Sequence, residues 1–290
     1  MAKEIDIAII GGTGLYDIEG FKVIKQVQPE TAWGKPSDEI TIAEYGEDRK
    51  LRVGFLPRHG RGHFIMPTEI PQRANMAALK MLGASHVIAF SAVGSLKEEI
   101  APTHFIIPDQ IIDRTRHRHE TFYGEGVVVH ATFGDPFCSD LAKLCEAAVK
   151  RAGVTCHTDE TLICMEGPLF STRAESKLYK SWGAGIINMS VLPEAKLARE
   201  LELCYQMICM STDYDSWREE EGAVNAEEIM KVVKANSSAA GAVALELVKD
   251  ISADMPCQYE GSLKYAIITA PDKRPTETKE RLNTVLPGYF

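Results

Sequence analysis

The chain has 290 residues, of which 45% are hydrophobic and 25% charged, a composition typical of a globular protein that buries a large core. Its net charge of −9 argues against nucleic acid as the main partner, and an anionic substrate has to be attracted by a local cluster of basic groups. No apolar run approaches the roughly 18 residues that a membrane-spanning helix needs, so no membrane partner is expected.

The first apolar stretch is short and is followed by glycines, which predicts a strand at 5–10 rather than a signal peptide. Further apolar runs predict strands at 51–56, 86–91, 104–107, 162–166, 185–189 and 204–210. A helix is predicted over 136–152, with Asp135 as its N-cap, and another begins near Thr172, where Thr172 and Glu175 have the spacing of a capping box. A third helix is predicted over 226–250, with Asn225 as its N-cap.

Strands that alternate with helices predict an α/β protein with a central sheet in one domain. The tail at 271–290, which is polar and contains prolines, is expected to be partly mobile. The seven cysteines lack paired C-x-x-C spacing and several lie in apolar runs, so most are expected to be reduced and buried in a cytoplasmic protein.

A glycine-rich turn, GGTG, follows the first predicted strand. A dinucleotide-binding turn requires a third glycine at position 17, where Asp17 stands, so this interpretation is disfavoured. Two interpretations remain. The main-chain N–H groups and the Thr13 hydroxyl bind a smaller anion such as phosphate, or the turn binds no ligand.

Two more strand ends have residues suited to an anion. Arg58 and His59 follow the strand at 51–56, in a loop with two glycines, and Ser91 and Ala92 end the strand at 86–91. Arginine has a planar fork suited to phosphate, and α/β folds place ligands at strand ends. Together with Thr13, these residues predict a phosphate site.

Two acids, Asp213 and Asp215, follow the apolar run at 204–210. Burial at a strand end makes negative charge costly, and by themselves the two acids are also compatible with a purely structural pair. His117 and His119 lie among arginines that repel a divalent cation, so a mobile polar loop is expected there rather than a metal site. Taken alone, Phe170, Ile229 and Met230 are typical core residues, His130 is typical of a structural histidine and Glu166 of a solvated turn acid.

The ordered motifs GGTGLYD, GKPSDEI, RHGRGHFIMP, ALKMLGASHVI, GSLKEEI, IIDRT, DPFC, EGPLFSTRAES, WGAGIINM and TDYDSW resemble those of the 5′-methylthioadenosine phosphorylases, in the trimeric purine nucleoside phosphorylase superfamily. The resemblance runs from about residue 5 to 250. It implies a single-domain nucleoside phosphorylase fold over 1–250, with a central mixed β-sheet flanked by helices, and a C-terminal extension over 251–290 packed on or near it. It also implies phosphorolysis of methylthioadenosine to adenine and 5-methylthioribose 1-phosphate in a homotrimer, with phosphate as co-substrate and neither metal nor redox cofactor.

The resemblance assigns roles to individual residues. Phosphate would be held by Thr13, Arg58, His59, Ser91, Ala92 and Ser190. The nucleoside would be bound by Glu166, Phe170, Met189, Asp213, Asp215, Ala226, Ile229, Met230 and, from a neighbouring subunit, His130. Threonine is expected in relatives where Ser91 and Ser190 stand, so the hydroxyls are kept and the methyl groups are lost.

The two acids would then divide the chemistry of the base. Asp213, with its pKa raised by burial and by Asp215, would act as general acid toward N7, and Asp215 would accept from the exocyclic amino group of adenine. A 6-oxopurine has an acceptor there, so the acids disfavour the nearest alternative, a phosphorylase for methylthioinosine or 6-oxopurine nucleosides. A nicotinamide-dependent oxidoreductase lacks its third glycine, and a non-catalytic nucleoside-binding module would not need the phosphate groups.

Overall fold

The computed structural model describes residues 3–11, 20–46, 50–218 and 226–290. Within these ranges the chain forms nine strands and six α-helices. The strands are β1 Ile7–Gly11, β2 Lys22–Val27, β3 Ile40–Tyr45, β4 Leu51–Pro57, β5 His86–Ser95, β6 Phe105–Arg114, β7 Cys156–Met165, β8 Ile186–Asn188 and β9 Cys204–Asp213. The helices are α1 Gln72–Met81, α2 Ser139–Arg151, α3 Arg173–Ser181, α4 Val191–Glu200, α5 Ala226–Val248 and α6 Thr276–Asn283.

The nine strands form one sheet in the order β2-β3-β4-β1-β5-β8-β7-β6-β9. Strands β4, β1, β5 and β9 are parallel to one another, whereas β3 pairs antiparallel with β2 and β4, and β8 pairs antiparallel with β5. Because β9 also pairs with β5, the strands from β5 to β9 in this order close into a barrel. The prediction of a single-domain α/β fold with a mixed sheet is confirmed.

Helices cover both faces of the sheet. Alternate residues of β1 point to opposite faces, so Ala8 and Ile10 pack with α1, α4 and the C-terminal segment, while Ile7 and Ile9 pack with α2 and α5. This double cover explains why the central strands are continuous apolar runs in the sequence. A smaller cluster around Tyr179 of α3 packs beside the barrel.

Several boundaries differ from the predicted ones. The helix predicted over 136–152 begins at Ser139, because Cys138 donates its main-chain N–H to the Tyr205 carbonyl oxygen at 2.9 Å and holds the preceding segment against β9. The capping box of α3 is confirmed, since Glu175 N donates to Thr172 Oγ1 at 3.2 Å and Thr172 N to Glu175 Oε2 at 2.9 Å. Asn225, the predicted N-cap of α5, lies outside the described residues.

The expectation of a partly mobile tail is wrong. Leu282, Val285 and Leu286 of this tail are buried in the same core cluster as α1 and α4. Tyr289 anchors the last residues, because its hydroxyl donates to Glu202 Oε1 at 2.7 Å. Leu282, Val285 and Leu286 have the i, i+3, i+4 spacing of one helix face, but this short pattern stands in a segment that is otherwise polar.

None of the helices in the described ranges is both long and apolar enough to cross a bilayer. The cysteines are free thiols, and most of them are buried, as predicted; Cys156 and Cys257 are half-buried.

Candidate active site

The carboxyl ends of β1, β4, β5 and β9 meet at one edge of the sheet, because these strands are parallel neighbours. Register fixes which residues come together: Gly11 of β1 faces Pro57 of β4, and Gly94 of β5 faces Asp213 of β9. Thr13, which follows β1, lies outside the described residues, so its predicted part in binding phosphate stays a prediction.

Arg58 follows β4 and its side chain turns inward, where it is only 2% exposed. Its Nε and Nη2 donate to Glu194 at 2.8 and 3.0 Å, and Nη1 donates to the Phe90 carbonyl oxygen at 2.8 Å. Tyr205 adds a hydrogen bond of 2.7 Å from its hydroxyl to Glu194 Oε1. At least three of the five guanidinium N–H donors are therefore engaged within the protein, and a buried carboxylate anchors the guanidinium that the sequence suggests for phosphate.

His59 is a neutral imidazole at neutral pH. Burial lowers its pKa to about 4, despite the opposing hydrogen bond to the Ile65 carbonyl, and the Arg58 charge adds to the lowering. Nδ1 lies 2.8 Å from the Ile65 carbonyl oxygen, which only accepts, so Nδ1 bears the proton and Nε2 has a free lone pair. His63 stacks on this ring with centroids 4.2 Å apart. A ligand at His59 therefore meets an acceptor at Nε2.

The two predicted serines lie in contact. Ser91 Oγ of β5 and Ser190 Oγ, just before α4, are 2.8 Å apart and both side chains are buried. This contact follows from the antiparallel register of β5 and β8, which pairs Gly94 with Ile187 and brings the following residues alongside Ser91. Ala92 is exposed beside them, and its carbonyl oxygen accepts from Ser91 Oγ at 3.0 Å. The structure thus gathers two hydroxyl groups at one point.

Asp213 ends β9 and accepts a hydrogen bond on each carboxylate oxygen. Thr212 Oγ1 donates to Oδ1 at 2.7 Å, and the Asp215 main-chain N–H donates to Oδ2 at 2.9 Å. These bonds fix the carboxylate relative to the next turn, Asp215–Trp217, a short 3-10 helix. Trp217 holds that turn on β5, because its Nε1 donates to the Ser95 carbonyl oxygen at 2.8 Å.

Asp215 is a buried acid with an unused acceptor. Among the described residues, no group hydrogen-bonds to its Oδ2, although this atom is shielded from solvent. Burial raises the pKa of the carboxyl, although hydrogen bonds from the Ser176 and Ser171 hydroxyls and the Ser216 main-chain N–H oppose the rise. Its φ of 41° is in the left-handed region, which a non-glycine residue adopts at a cost of about 1–3 kcal/mol. A buried acceptor in a strained backbone points to a ligand that donates a hydrogen bond.

Gly94 joins the two acids to β5. A Cβ atom at this position would lie 3.3 Å from both Asp213 Oδ2 and the Asp215 Cβ, and 3.2 Å from Ile187. The absence of a side chain is therefore what allows both acids to lie against the strand. Since Ser91 is three residues earlier on β5, the serine pair and the acid pair are about 10 Å apart along one strand.

Glu166 follows β7 and is held by main-chain and side-chain donors. The Arg116 and His117 N–H groups donate to Oε2, and Arg118 Nε donates to Oε1 at 3.3 Å. Burial opposes ionisation, but the Arg116 hydrogen bond and the Arg118 charge outweigh it, so the pKa of Glu166 is lowered. Glu166 is an oriented carboxylate rather than a solvated turn acid.

Arg118 corrects the expectation of a mobile loop. Its side chain is 2% exposed, and its guanidinium also donates to the carbonyl oxygens of Met165, Glu166, Met189 and Leu192. One buried cation thereby joins the ends of β7 and β8 to the start of α4. Met189 is further confined by Gly167, whose Cβ, if present, would lie 2.4 Å from the Met189 Sδ.

The remaining predicted residues lie at the rim or further away. Phe170 is 46% exposed and Met230 is 59% exposed, so neither is a core residue in the single chain. The side chain of Ile229 lies outside the described residues, as does that of Ala226. His130 is exposed and its main-chain N–H donates to the Ala266 carbonyl oxygen at 2.9 Å; in the described part of the chain, none of its contacts reaches the strand-end side chains.

Glu194 is the main residue that the sequence does not reveal. It is fully buried and lies 136 positions from Arg58, in a helix that also contains Lys196, Arg199 and Glu200, so nothing in the local sequence marks it as the buried partner of Arg58. As for His117 and His119, the described residues contain no group of three or more His, Cys, Asp or Glu side chains arranged to hold a metal ion.

Comparison with known proteins gives a consistent result. Residues 6–249 match the family model described as the phosphorylase superfamily. The chain is 51% identical to the S-methyl-5′-thioadenosine phosphorylase of Emericella nidulans, over 100% of this chain and 84% of the relative. It is 48% identical to the enzyme of the same name from Geobacter sulfurreducens, over 98% of both chains.

Solved structures agree with these sequence relatives. A methylthioadenosine phosphorylase sourced from an antarctic soil metagenomic library superposes with a TM-score of 0.92 at 41% identity, over 99% of this chain and 100% of the other. The methylthioadenosine phosphorylase of Schistosoma mansoni in complex with adenine gives a TM-score of 0.84 at 33% identity, over 91% and 99% of the two chains.

Proposed function

Because the chain belongs to the phosphorylase superfamily, we propose that it cleaves S-methyl-5′-thioadenosine with inorganic phosphate, giving adenine and 5-methylthioribose 1-phosphate. The enzyme is thus a pentosyltransferase. Relatives of that name match essentially the whole chain at about half identity, and the strand-end chemistry suits a nucleoside and an anion.

The observation that carries the choice of base is the unused acceptor of Asp215. Its buried Oδ2 needs a donor, and the exocyclic amino group of adenine supplies one. A 6-oxopurine would place an oxygen against this carboxylate, which repels it. The methylthioinosine and 6-oxopurine alternatives are therefore disfavoured.

Cleavage of the N-glycosidic bond places positive charge on the sugar and negative charge on the departing base. The C1′–N9 bond breaks with its electron pair moving into the purine, and a phosphate oxygen bonds to C1′. Asp213 stabilises the leaving base by protonating N7 or donating a hydrogen bond to it, a role worth about 10²–10⁴ in rate. Its two oxygens accept hydrogen bonds from Thr212 Oγ1 and the Asp215 main-chain N–H, which hold the carboxyl group in place for this role.

Phosphate lies on the other side of the sugar in this proposal. The Ser91 and Ser190 hydroxyls and the Ala92 main chain contact its oxygens, and Arg58 supplies positive charge from its anchored position. His59 accepts the P–OH hydrogen of the monoprotonated anion on Nε2, which is the role left to a neutral imidazole. Thr13 completes this set of ligands.

The sugar and its 5′ substituent occupy the space between these groups. Glu166 accepts from a ribose hydroxyl, and Met189 and Phe170 pack on the base and ribose. Ile229 and Met230, with Ala226, form an apolar wall for the methylthio group, against which the 5′-hydroxyl of adenosine is unfavourable. His130 reaches the 5′ region of a neighbouring subunit's site, which agrees with its exposure in the single chain.

The wider setting follows from the same family. We propose a homotrimer of purine and methionine salvage that works in the cytoplasm, with phosphate as co-substrate and no metal or organic cofactor. The surface near the site supports assembly, because Leu169 is a large apolar side chain that is exposed in the single chain.

The test is the release of adenine from methylthioadenosine, followed with and without inorganic phosphate. Adenosine, inosine and methylthioinosine are assayed beside it. Release of adenine that requires phosphate and exceeds the rate with the 6-oxopurine nucleosides supports the proposal. Equal release without phosphate would identify a hydrolase instead, and preference for methylthioinosine would favour the alternative.

A further inference from the structure

Asn188 ends β8, two residues before Ser190, and its side chain is 5% exposed. It has no part in the chemistry proposed above. Every polar atom of its carboxamide nevertheless faces a group of the serine pair or its main chain. The direction of these contacts determines what the two serine hydroxyls can do.

The orientation of the carboxamide is set by the main chain. The N–H groups of Ser190 and Val191 point at Oδ1, with N···O distances of 3.3 and 3.4 Å, and an N–H can only donate. Oδ1 therefore faces the main chain and Nδ2 faces the hydroxyls. Nδ2 lies 3.2 Å from Ser91 Oγ and 3.3 Å from Ser190 Oγ, with the weakly accepting Met207 Sδ at 3.4 Å.

A hydroxyl has one hydrogen to donate and two lone pairs that accept. Since Nδ2 donates toward both oxygens, each hydroxyl oxygen accepts from the amide through one lone pair, and its hydrogen remains available to donate to another acceptor. In the present arrangement one hydrogen lies between Ser91 and Ser190, and the Ala92 carbonyl oxygen is the other acceptor within reach. A ligand whose oxygens only accept can take both hydrogens at once.

We propose that Asn188 is a positioning residue for phosphate, which makes donors of the Ser91 and Ser190 hydroxyls. The inference rests on the proposed function, because it takes the serine pair to be part of the phosphate site. The ligand class is a tetrahedral oxyanion with acceptor oxygens. Asn188 itself acts through the hydroxyls and is not in the reacting set.

The test replaces Asn188 by aspartate, which has nearly the same shape but puts an accepting oxygen where Nδ2 stands. The hydroxyl hydrogens then turn toward the carboxylate. We expect the Kd for inorganic phosphate, measured by calorimetric titration, to rise roughly 10- to 100-fold, the value of a hydrogen bond to a charged group. The KM for methylthioadenosine at saturating phosphate should change less than about threefold, a separation that a general loss of structure would not produce.

A second variant avoids the buried charge. Asn188→Ala should weaken phosphate binding, whereas the same substitution in a Ser91→Ala/Ser190→Ala background should add nothing further, because Asn188 then has no hydroxyl to direct. If Asn188→Asp does not fold, this cycle carries the test. Additive effects in the cycle, or a phosphate Kd within twofold of wild type in Asn188→Asp, would overturn the inference.

Failure of the proposed function can be told apart from failure of this inference. Titration with inorganic phosphate needs no turnover, so a wild-type protein that binds phosphate without releasing adenine would refute the reaction and leave the Asn188 comparison readable. A wild-type protein that does not bind phosphate would overturn the positioning role.

Discussion

Replacing Asp215 by asparagine should change which base the enzyme accepts. The substitution keeps the shape of the side chain but exchanges one buried acceptor oxygen for an N–H₂ donor. In the wild type, none of the described groups makes a hydrogen bond of good geometry to Oδ2, so this oxygen can accept from a 6-amino group. In Asp215→Asn, an amide facing the base can donate to a 6-oxo group.

The size of the effect follows from the burial of the site. A hydrogen bond to a charged acceptor contributes about 1.5–3 kcal/mol, so kcat/KM for methylthioadenosine should fall roughly 10- to 150-fold. Methylthioinosine gains a hydrogen bond and loses a repulsion, so its kcat/KM should rise by a similar factor. The ratio of the two specificity constants should therefore change by about 10²–10⁴.

The same substitution should stabilise the fold at neutral pH. Burial raises the pKa of Asp215 above its ordinary value of 3.8, so ionising this carboxyl lowers the stability of the folded protein. The loss of stability is absent below pH 3.8 and develops as the pH rises through the folded-state pKa. Asparagine removes that cost. The Tm of Asp215→Asn should exceed that of wild type at pH 7, and the difference should disappear as the pH falls toward 3.8.

Asp113 provides a matched control of opposite sign. Burial opposes its ionisation, but hydrogen bonds from Lys196 and Thr115 outweigh it and the pKa is lowered. Its contribution to stability is present above its ordinary pKa and is lost as the pH falls, so Asp113→Asn should lower the Tm at pH 7.

Steady-state kinetics with both nucleosides, and with the phosphate KM as an internal reference, decide the question. An unchanged ratio of specificity constants in Asp215→Asn would refute the reasoning about the base, even if both activities fell. A Tm below that of wild type at pH 7 would refute the reasoning about the buried charge.

Three further changes test other parts of the structure. Glu194→Gln leaves the Arg58 guanidinium buried without its counter-ion, so urea unfolding should show a loss of about 3–5 kcal/mol in the free energy of unfolding. A loss below about 1 kcal/mol, the value of a solvent-exposed ion pair, would contradict the buried pairing. Arg118→Lys removes the guanidinium group that joins Glu166 to its neighbours. The kcat/KM for the nucleoside should fall about tenfold, while the KM for phosphate changes little. Equal changes in both constants would contradict a local role for Arg118. Leu282→Ala should cost about 2–5 kcal/mol in the free energy of unfolding, because this residue of the tail is fully buried, and a loss near zero would show that the tail does not pack as described.

The sequence predicts the buried central strands beside the site better than it predicts the edge strand β2 and helix α4. The strands that contain or lead to Arg58, Ser91 and Asp213 are largely buried and appear in the sequence as mostly apolar runs, so they could be located. The predicted end at Ser91 is wrong, because β5 continues to Ser95. Strand β2 has the pattern of a mostly exposed edge strand with two lysines, and it could not be told from a loop. Helix α4 includes Pro193, which conceals its start.

The limits of prediction at the site have a different origin. Residue types at strand ends suggest which side chains meet, but they do not give the direction in which a side chain turns. The sequence predicts that Arg58 contacts an anion, but it does not reveal that Glu194 anchors the guanidinium, because no local pattern connects the two residues. Arg118 belongs to a run of charges that resembles a solvated loop, and only the packed chain shows its guanidinium enclosed by carbonyl oxygens.

Strand β5 gives the enzyme an arrangement in which its two recognition tasks can change separately during evolution. In the proposed site, the oxyanion binds at Ser91, and the base binds three residues further along the strand, at Gly94 and the turn beyond β9. A lineage could therefore acquire a new purine preference by substitutions in 213–215 without disturbing the chemistry that all its members share. The strand also fixes the distance between the oxyanion position and the base position. Deleting one residue between them would shift one position by about 3.3 Å relative to the other and turn its side chains to the opposite face of the sheet. No single later substitution could correct both the shift and the change of face.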